Sequence, residues 1–371
     1  MTRLRTAAGA KGGGNPAYVN ARIRSRRASL LDESDYRKLL RMGPNEISRY
    51  LEETEYEREM NELGARYRGV DIIEYALNAN LSRHFQDLLD WSDGELYDQL
   101  ARYLRKFDGW NVKTVLRGIY SGADRETIET DLIRAGEFTD REIDSLLDSA
   151  TIEDAIERLS GTIYHQPLVE AFDEYEASNL LIPLENAVDR VVYEHLIAGV
   201  DVDAGPADRV LGYHRSSTGS PADLYREFLT AEIDFLNVRN ALRIANSQSQ
   251  LDPSEYYIDG GRLFTARQLA RLTGNLDELV TVIRESTYGD ELADALTVLE
   301  EAESLLAVEH AIDRALVAYG DWLGSRYPVS VCPIIAYVLA KEREVKNVIA
   351  IARGREAGLT EDEIREELVI L

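Results

Sequence analysis

The chain has 371 residues, 44% of them hydrophobic, with 67 acidic against 42 basic side chains for a formal charge of −25. That length predicts two or three domains with room for a full core, and the hydrophobic fraction excludes a disordered protein. A single cysteine, Cys332, excludes an internal disulfide framework and any cysteine-rich metal site. Residues 1–31 hold Arg3, Arg5, Lys11, Arg22, Arg24, Arg26 and Arg27 and no acid, so that end is +7 and the remainder −32. Residues 1–15 read as a flexible basic tail. Its Lys11-Gly12-Gly13-Gly14 lacks the preceding strand and the Gly-Lys-Ser/Thr of a phosphate loop. No apolar run of signal-peptide type follows the basic start.

Downstream, helical periodicity dominates and alternating β-branched runs are scarce. Thr139-Asp140 and Thr360 predict helix starts, with acids in the first turns after them. Between Glu185 and Leu196 the apolar positions 187, 188, 191, 192 and 196 trace one helical stripe, and residues 309–319 repeat it. Glycines 118, 199, 274 and 354 stand at expected helix ends. The stretch 199–222, with Gly205-Pro206 and a Ser/Thr/Gly run before Pro221, reads as an inserted loop, and a second break falls at 246–261. The longest apolar run, Val329 to Ala340, is broken by Ser330 and Pro333, well short of the ~20 residues that cross a bilayer. The chain reads as soluble, and as peripheral to a membrane if connected with one.

Only six of the basic residues are lysines. Abundant acid with little lysine predicts a protein adapted to concentrated salt, where the Debye length of ~3 Å screens repulsion among surface carboxylates. The basic start has two readings: an arm for nucleic acid or an anionic membrane surface, or a mobile tail followed by an Arg-bearing helix that docks on acidic neighbours. Nucleic acid is disfavoured, since only Tyr18 interleaves with these arginines and high salt erodes phosphate contacts.

The strongest signal is an internal threefold repeat. Asp108-x-x-Asn111-Val, ending in Leu116-Arg117, lines up with Asp234-x-x-Asn237-Val, ending in Leu242-Arg243, and with Glu344-x-x-Asn347-Val, ending in Ala352-Arg353. A second set is Glu74-x-Ala76-Leu77-Asn78, Glu185-x-Ala187-Val188-Asp189 and Glu309-x-Ala311-Ile312-Asp313. A third is Leu51-x-x-Thr54-x-Tyr56, Leu159-x-x-Thr162-x-Tyr164 and Ile283-x-x-Ser286-x-Tyr288. A fourth, clear in two copies, is Phe138-Thr139-x-Arg141-Glu142 against Phe264-Thr265-x-Arg267-Gln268. The sets recur in one order, so the chain divides into a helical domain at 16–120, a second at 121–245 containing the loop 199–222, and a third at 246–371 with the C-terminal helix. Three such units either stack in a row or close around a pseudo-threefold axis, which would leave a central opening.

Chemistry-bearing patterns are thin. The five histidines show no metal-ligand spacing, and His84, His195 and His310 lie on repeat helices in structural settings. Cys332, beside Pro333 in an apolar segment, reads as buried and inert. Triplication argues against a single catalytic site. No catalytic, cofactor or metal residues are assigned, and no small-molecule substrate is expected. The repeated Asn and Arg residues have two readings. In one they are the structural signature of the unit, Asn satisfying backbone groups and Arg pairing with an acid on a neighbouring helix. In the other, Asn111, Arg117, Asn237, Arg243, Asn347 and Arg353, with Arg22, Arg24, Arg26 and Arg27, face a partner.

At the repeat, the sequence resembles the C subunit of the archaeal A-type ATP synthases, the counterpart of the d subunit of vacuolar ATPases. The segments that carry the likeness are Tyr18-Val-Asn-Ala-Arg22-Ile-Arg24-Ser-Arg26-Arg27-Ala-Ser-Leu-Leu31, Thr54-Glu55-Tyr56, the Asn-Val repeats and Glu344 to Gly354. It spans roughly 16–371 and leaves out residues 1–15 and the loop. The resemblance implies an all-α fold of three homologous helical domains arranged as a pseudo-threefold funnel. It also implies a non-catalytic central-stalk subunit without cofactors, peripheral to the cytoplasmic face of the membrane. Its partners would be the rotor-ring and central-stalk subunits, and rotation would pass through it. The rival expectation is a three-domain helical scaffold for a soluble protein partner.

Overall fold

A computed structural model describes residues 14–203, 221–246, 252–300, 305–366 and 368. The loop expected at 199–222 and the tail at 1–15 lie mostly outside these residues; the helix before the loop continues to Asp203 and the next begins at Pro221. Among the described residues all regular structure is helical, as the periodicity predicts.

The first stretch holds α1 (Pro16–Arg27), α2 (Glu33–Leu39), α3 (Pro44–Leu51), α4 (Glu57–Leu63), α5 (Val70–Trp91) and α6 (Gly94–Leu104). Then come α7 (Lys106–Ser121), α8 (Arg125–Thr130), α9 (Asp140–Leu147), α10 (Ile152–Arg158), α11 (His165–Ser178) and α12 (Ile182–Asp203). The last part comprises α13 (Pro221–Asn246), α14 (Ala266–Leu272), α15 (Leu276–Arg284), α16 (Ala293–Glu300), α17 (Leu305–Arg326), α18 (Cys332–Glu356) and α19 (Glu361–Glu366).

Six of these helices, joined end to end by α6, form a closed ring. The three carrying the Asn-Val signature, α7, α13 and α18, pack against the three carrying the Glu-x-Ala signature, as α7 on α12, α13 on α17 and α18 on α5. Contacts between α12 and α13 and between α17 and α18 continue the ring, and α6 carries it from α7 back to α5, where Phe107 meets Phe85 at 5.0 Å between ring centroids. The last Asn-Val helix therefore packs on the beginning of the chain, so the packing partners are offset by one helix from the order of the repeat in sequence. A contiguous hydrophobic core runs through all of it.

The apolar run at 329–340 finds its explanation here. Residues 334–340 of α18 are all buried, so this stretch of the helix is apolar all round because it is enclosed all round. Pro333 falls in the first turn, where its missing N–H costs nothing. Among the described residues no helix is long and apolar enough to cross a membrane.

Gly118, Gly199 and Gly354 are not helix ends; they lie inside α7, α12 and α18. Gly118 and its repeat equivalent Gly354 mark close packing instead: a Cβ at either would stand 2.3 Å from Ile128 or 2.6 Å from Ile364. The left-handed residues that stop α7 and α11 are Gly122 and Asn179.

Candidate functional site

The repeated residues prove to be one interlocking set. Asp108 accepts hydrogen bonds from the backbone N–H of Glu137 and Phe138, at 2.6 and 3.1 Å. Asp234 does the same for Arg262 and Leu263, at 2.8 and 2.9 Å. Glu344 accepts from Leu31 at 2.5 Å and from the Tyr56 hydroxyl at 2.5 Å. Asn111 exchanges both amide bonds with the backbone of Ile133, each 2.9 Å, and Asn237 does so with Ile258, also 2.9 Å each. Asn111, Asn237 and Asn347 are all buried. Burial raises the Asp108 carboxyl to about 6 against the two N–H donors that favour its charge.

The arginine of each signature reaches the glutamate of the second set. Arg243 grips Glu309 with two bonds of 2.5 Å, and Arg117 to Glu185 and Arg353 to Glu74 are the equivalent pairs. Thr54, Thr162 and Ser286 each donate to the carbonyl three residues back, at 2.7, 2.7 and 2.6 Å, and each accepts from the N–H of the buried tyrosine two residues on. The fourth set is a capping box: Thr139 with Glu142 opens α9 and Thr265 with Gln268 opens α14. Its third copy, Leu31-Asp32-x-x-Asp35, opens α2 with acids in both roles. The changed residue types hid it in the sequence.

The geometry that sequence reading missed lies two residues before each repeated acid. Lys106, Glu232 and Glu342 occupy equivalent positions on α7, α13 and α18, and they meet: the Lys106 ammonium is 3.7 Å from Glu232 and 3.3 Å from Glu342. Three equivalent positions of the repeat thus come together between these helices. Burial works against the charge on Lys106, but Glu342 and Glu232 outweigh it and raise its pKa. Burial likewise opposes Glu342, which Lys106 and Lys346 nevertheless hold down to about 2. Glu232 is raised, by burial first. Three residues earlier the equivalents Tyr103, Leu229 and Leu339 are all buried, with the Tyr103 hydroxyl donating to Glu232 at 3.1 Å. The signal was available, since shifting the repeat register by two residues exposes the triad, but a Lys-Glu-Glu column does not look like a repeat.

Beside Lys106, Glu232 and Glu342 lies a cavity of ≈ 190 Å³ lined by α7, α12, α13, α17 and α18. Its wall carries Lys113 paired with Asp189 at 2.5 Å and Arg239 paired with Asp313 at 3.3 Å. Trp110 stands on the same wall, its indole N–H donated to the Asp131 backbone carbonyl at 3.2 Å and the Lys346 ammonium 4.2 Å from its ring centroid. Burial depresses Lys113 against the pull of Asp189. Among the described residues no group of acids, histidines and cysteine could hold a metal ion. Cys332 is buried, its thiol pushed up to about 11 by burial.

The basic N-terminal helix divides. Arg26 pairs with Asp87 of α5, and Arg27 pairs with Asp321 of α17 at 2.5 Å, so α1 straddles the place where the ring closes. Arg22 stacks on Tyr18 and Trp91, at 4.9 and 4.6 Å. Arg22 and Arg24 are exposed, and within the described residues neither makes an ion pair.

These features define an all-helical protein with threefold internal repetition, whose shared polar residues hold its own helices together beside a cavity. The family description for the ATP synthase (C/AC39) subunit matches residues 19–367. The C subunit of the A-type ATP synthase of Haloferax volcanii is 58% identical over 97% of this chain and 99% of its own length. Its counterpart in the A-type ATP synthase of Haloquadratum walsbyi is 56% identical over 96% and 99%, and that of Methanosarcina acetivorans 34% over 97% and 94%. The chain belongs to the ATP synthase (C/AC39) subunit family.

Proposed function

We propose that this chain is the non-catalytic coupling subunit of a rotary A-type ATP synthase, joining the membrane rotor ring to the central stalk at the cytoplasmic face of the membrane. Three homologous domains, read in sequence as 16–120, 121–245 and 246–371, form its funnel. The observation that carries this reading is the cavity beside the point where Lys106, Glu232 and Glu342, equivalent positions of the repeat, come together. A recess where equivalent helices converge suits the tip of a shaft. The face that carries α1 fits the ring, because the exposed aromatic and basic residues Tyr18, Arg22, Arg24 and Trp322 belong to α1 and the C-terminal end of α17. Ion flow would turn the ring, the funnel would turn with it, and the stalk would carry rotation to the nucleotide-binding head. Many distributed contacts serve this better than a few exposed ion pairs, which are weak and screened by salt.

Gentle detergent extraction of membranes tests the proposal. The chain should co-purify with ring and stalk subunits. Recovery of all of it as a free monomer would overturn the reading, and recovery with soluble partners alone would replace it with the scaffold reading.

A further inference from the structure

Among the described residues the three most exposed large apolar side chains are Val329, Trp322 and Tyr18, at 58%, 50% and 49%. Distant in sequence, they lie in one strip of the surface. Tyr18 belongs to α1, Trp322 to the last turns of α17 and Val329 to the connection before α18. Two contacts set these segments side by side and antiparallel: the Asn20 amide donates to the Ser330 carbonyl at 2.9 Å, and Arg27 pairs with Asp321 at 2.5 Å. Val329 therefore stands by the N-terminal half of α1, and Trp322 by its C-terminal end. The charge of the strip is equally distinct. Residues 14–31 and 322–331 contain no acid, although 67 of the 371 residues are acidic. Asp87 and Asp321, which border the strip, are already held by Arg26 and Arg27. Arg22, Arg24 and Arg326 are exposed and make no ion pair among the described residues. Arg22 lies over Tyr18 and Trp91, and Arg326 lies 5.7 Å from the Trp322 ring and 5.9 Å from Tyr327.

We propose that this strip rests on an anionic lipid surface, with Tyr18, Trp322 and Val329 at the level of the headgroups and Arg22, Arg24 and Arg326 on their phosphates. Rings with an apolar body and a polar edge gather at membrane–water boundaries, and arginines there reach phosphate while their stems lie on carbon. A protein partner would have to supply a pocket for each protruding apolar side chain and an acid for each arginine. An anionic bilayer offers both everywhere along its boundary. The remainder of the chain, −32 from residue 32 onward, is repelled by the same surface, so only this face can approach it. In concentrated salt the Debye length of ~3 Å shortens the reach of the arginines, and the apolar side chains then carry the contact. The inference goes beyond the coupling reading and adds a lipid contact to the face which that reading turns to the ring.

The full chain is sedimented with vesicles of mixed phosphatidylglycerol and phosphatidylcholine, and with vesicles of phosphatidylcholine alone, in the lowest salt that keeps it folded. About tenfold more chain should pellet with the anionic vesicles, with a blue shift of tryptophan emission that Trp322→Phe largely removes. Trp322→Ser with Val329→Ser should lower the pelleted fraction about tenfold in a chain that still unfolds cooperatively. Arg24→Glu with Arg326→Glu should abolish the preference for anionic vesicles. Equal binding to both vesicles, or binding to neither, would overturn the proposal. In the assembled synthase, Val329→Cys is labelled with a photo-crosslinker, the native Cys332 being buried. Lipid adducts are expected. Adducts with a ring subunit alone would give this face to protein and overturn the lipid contact, while the coupling reading stood. Loss of co-purification with ring and stalk would overturn the coupling reading instead, and the vesicle result would still decide the lipid contact.

Discussion

Arg353 near the end of α18 pairs with Glu74 on α5, residues separated by 279 positions in the chain. The corresponding pairs, Arg117 with Glu185 and Arg243 with Glu309, are separated by 68 and 66. The long pair is the same contact made across the two ends of the polypeptide, and it is where the ring closes. Its glutamate is buried, and burial raises the Glu74 pKa against the Arg353 guanidinium.

Removing Arg353 therefore leaves a buried carboxylate without its cation. Arg353→Gln should lower unfolding stability by about 2 kcal/mol, and Arg117→Gln, whose partner Glu185 is more exposed, by about 1 or less. Urea titrations at fixed salt measure both, and equal losses would argue against the burial explanation.

Lys341 also belongs to the closing seam. It is fully buried, with Glu344 at 2.9 Å, the Tyr56 hydroxyl at 2.7 Å and Glu55 beside it. Lys341→Met keeps the volume but strands two acids, so a loss of ~3–5 kcal/mol is expected. Adding Glu344→Gln should recover part of it, and a double-mutant cycle that sums additively would count against a shared network.

Asp108 links stability to pH. Because burial raises it to about 6 from an ordinary 3.8, the folded chain still holds a proton between those values when the unfolded chain has lost it. Its contribution is fully present below pH ~4 and falls as pH rises through about 6, by up to about 3 kcal/mol. The stability difference between the wild type and Asp108→Asn should move by that amount from pH 4 to pH 7. A difference that is flat with pH would show that the carboxyl titrates normally.

Gly118 faces Ile128 where a methyl group would overlap it at 2.3 Å. Gly118→Ala should cost ~1–3 kcal/mol despite the better helix propensity of alanine. Gly274→Ala, with only the Arg271 carbonyl at 3.6 Å, is the control. A stabilised Gly118→Ala would mean that the Ile128 side chain yields freely.

The two halves of the basic helix should separate in assembly. Arg22→Glu with Arg24→Glu removes exposed cations that make no ion pair among the described residues, and is expected to weaken recovery of the complex with a smaller change in thermal midpoint, from the lost stacking of Arg22 on Tyr18 and Trp91. Arg26→Glu with Arg27→Glu breaks the pairs to Asp87 and Asp321 and should lower the midpoint first. The opposite pattern would place the partner surface elsewhere.

Helix content, the threefold repeat and the order of its four markers were all legible in the sequence, because each rests on local spacing: the helical stripe, the capping box, the turn before each buried tyrosine. Family membership follows from the same residues. What spacing could not supply was which helix each marker touches. That Arg353 finds Glu74 rather than a later acid, that α18 completes the beginning of the chain, and that Lys106, Glu232 and Glu342 converge are consequences of closing the ring. Closure is a long-range event driven by burying the first part of α18 on every side, and the paired charges follow from it because a carboxylate enclosed there must find a donor. Local spacing fixed the pieces; burial decided their partners.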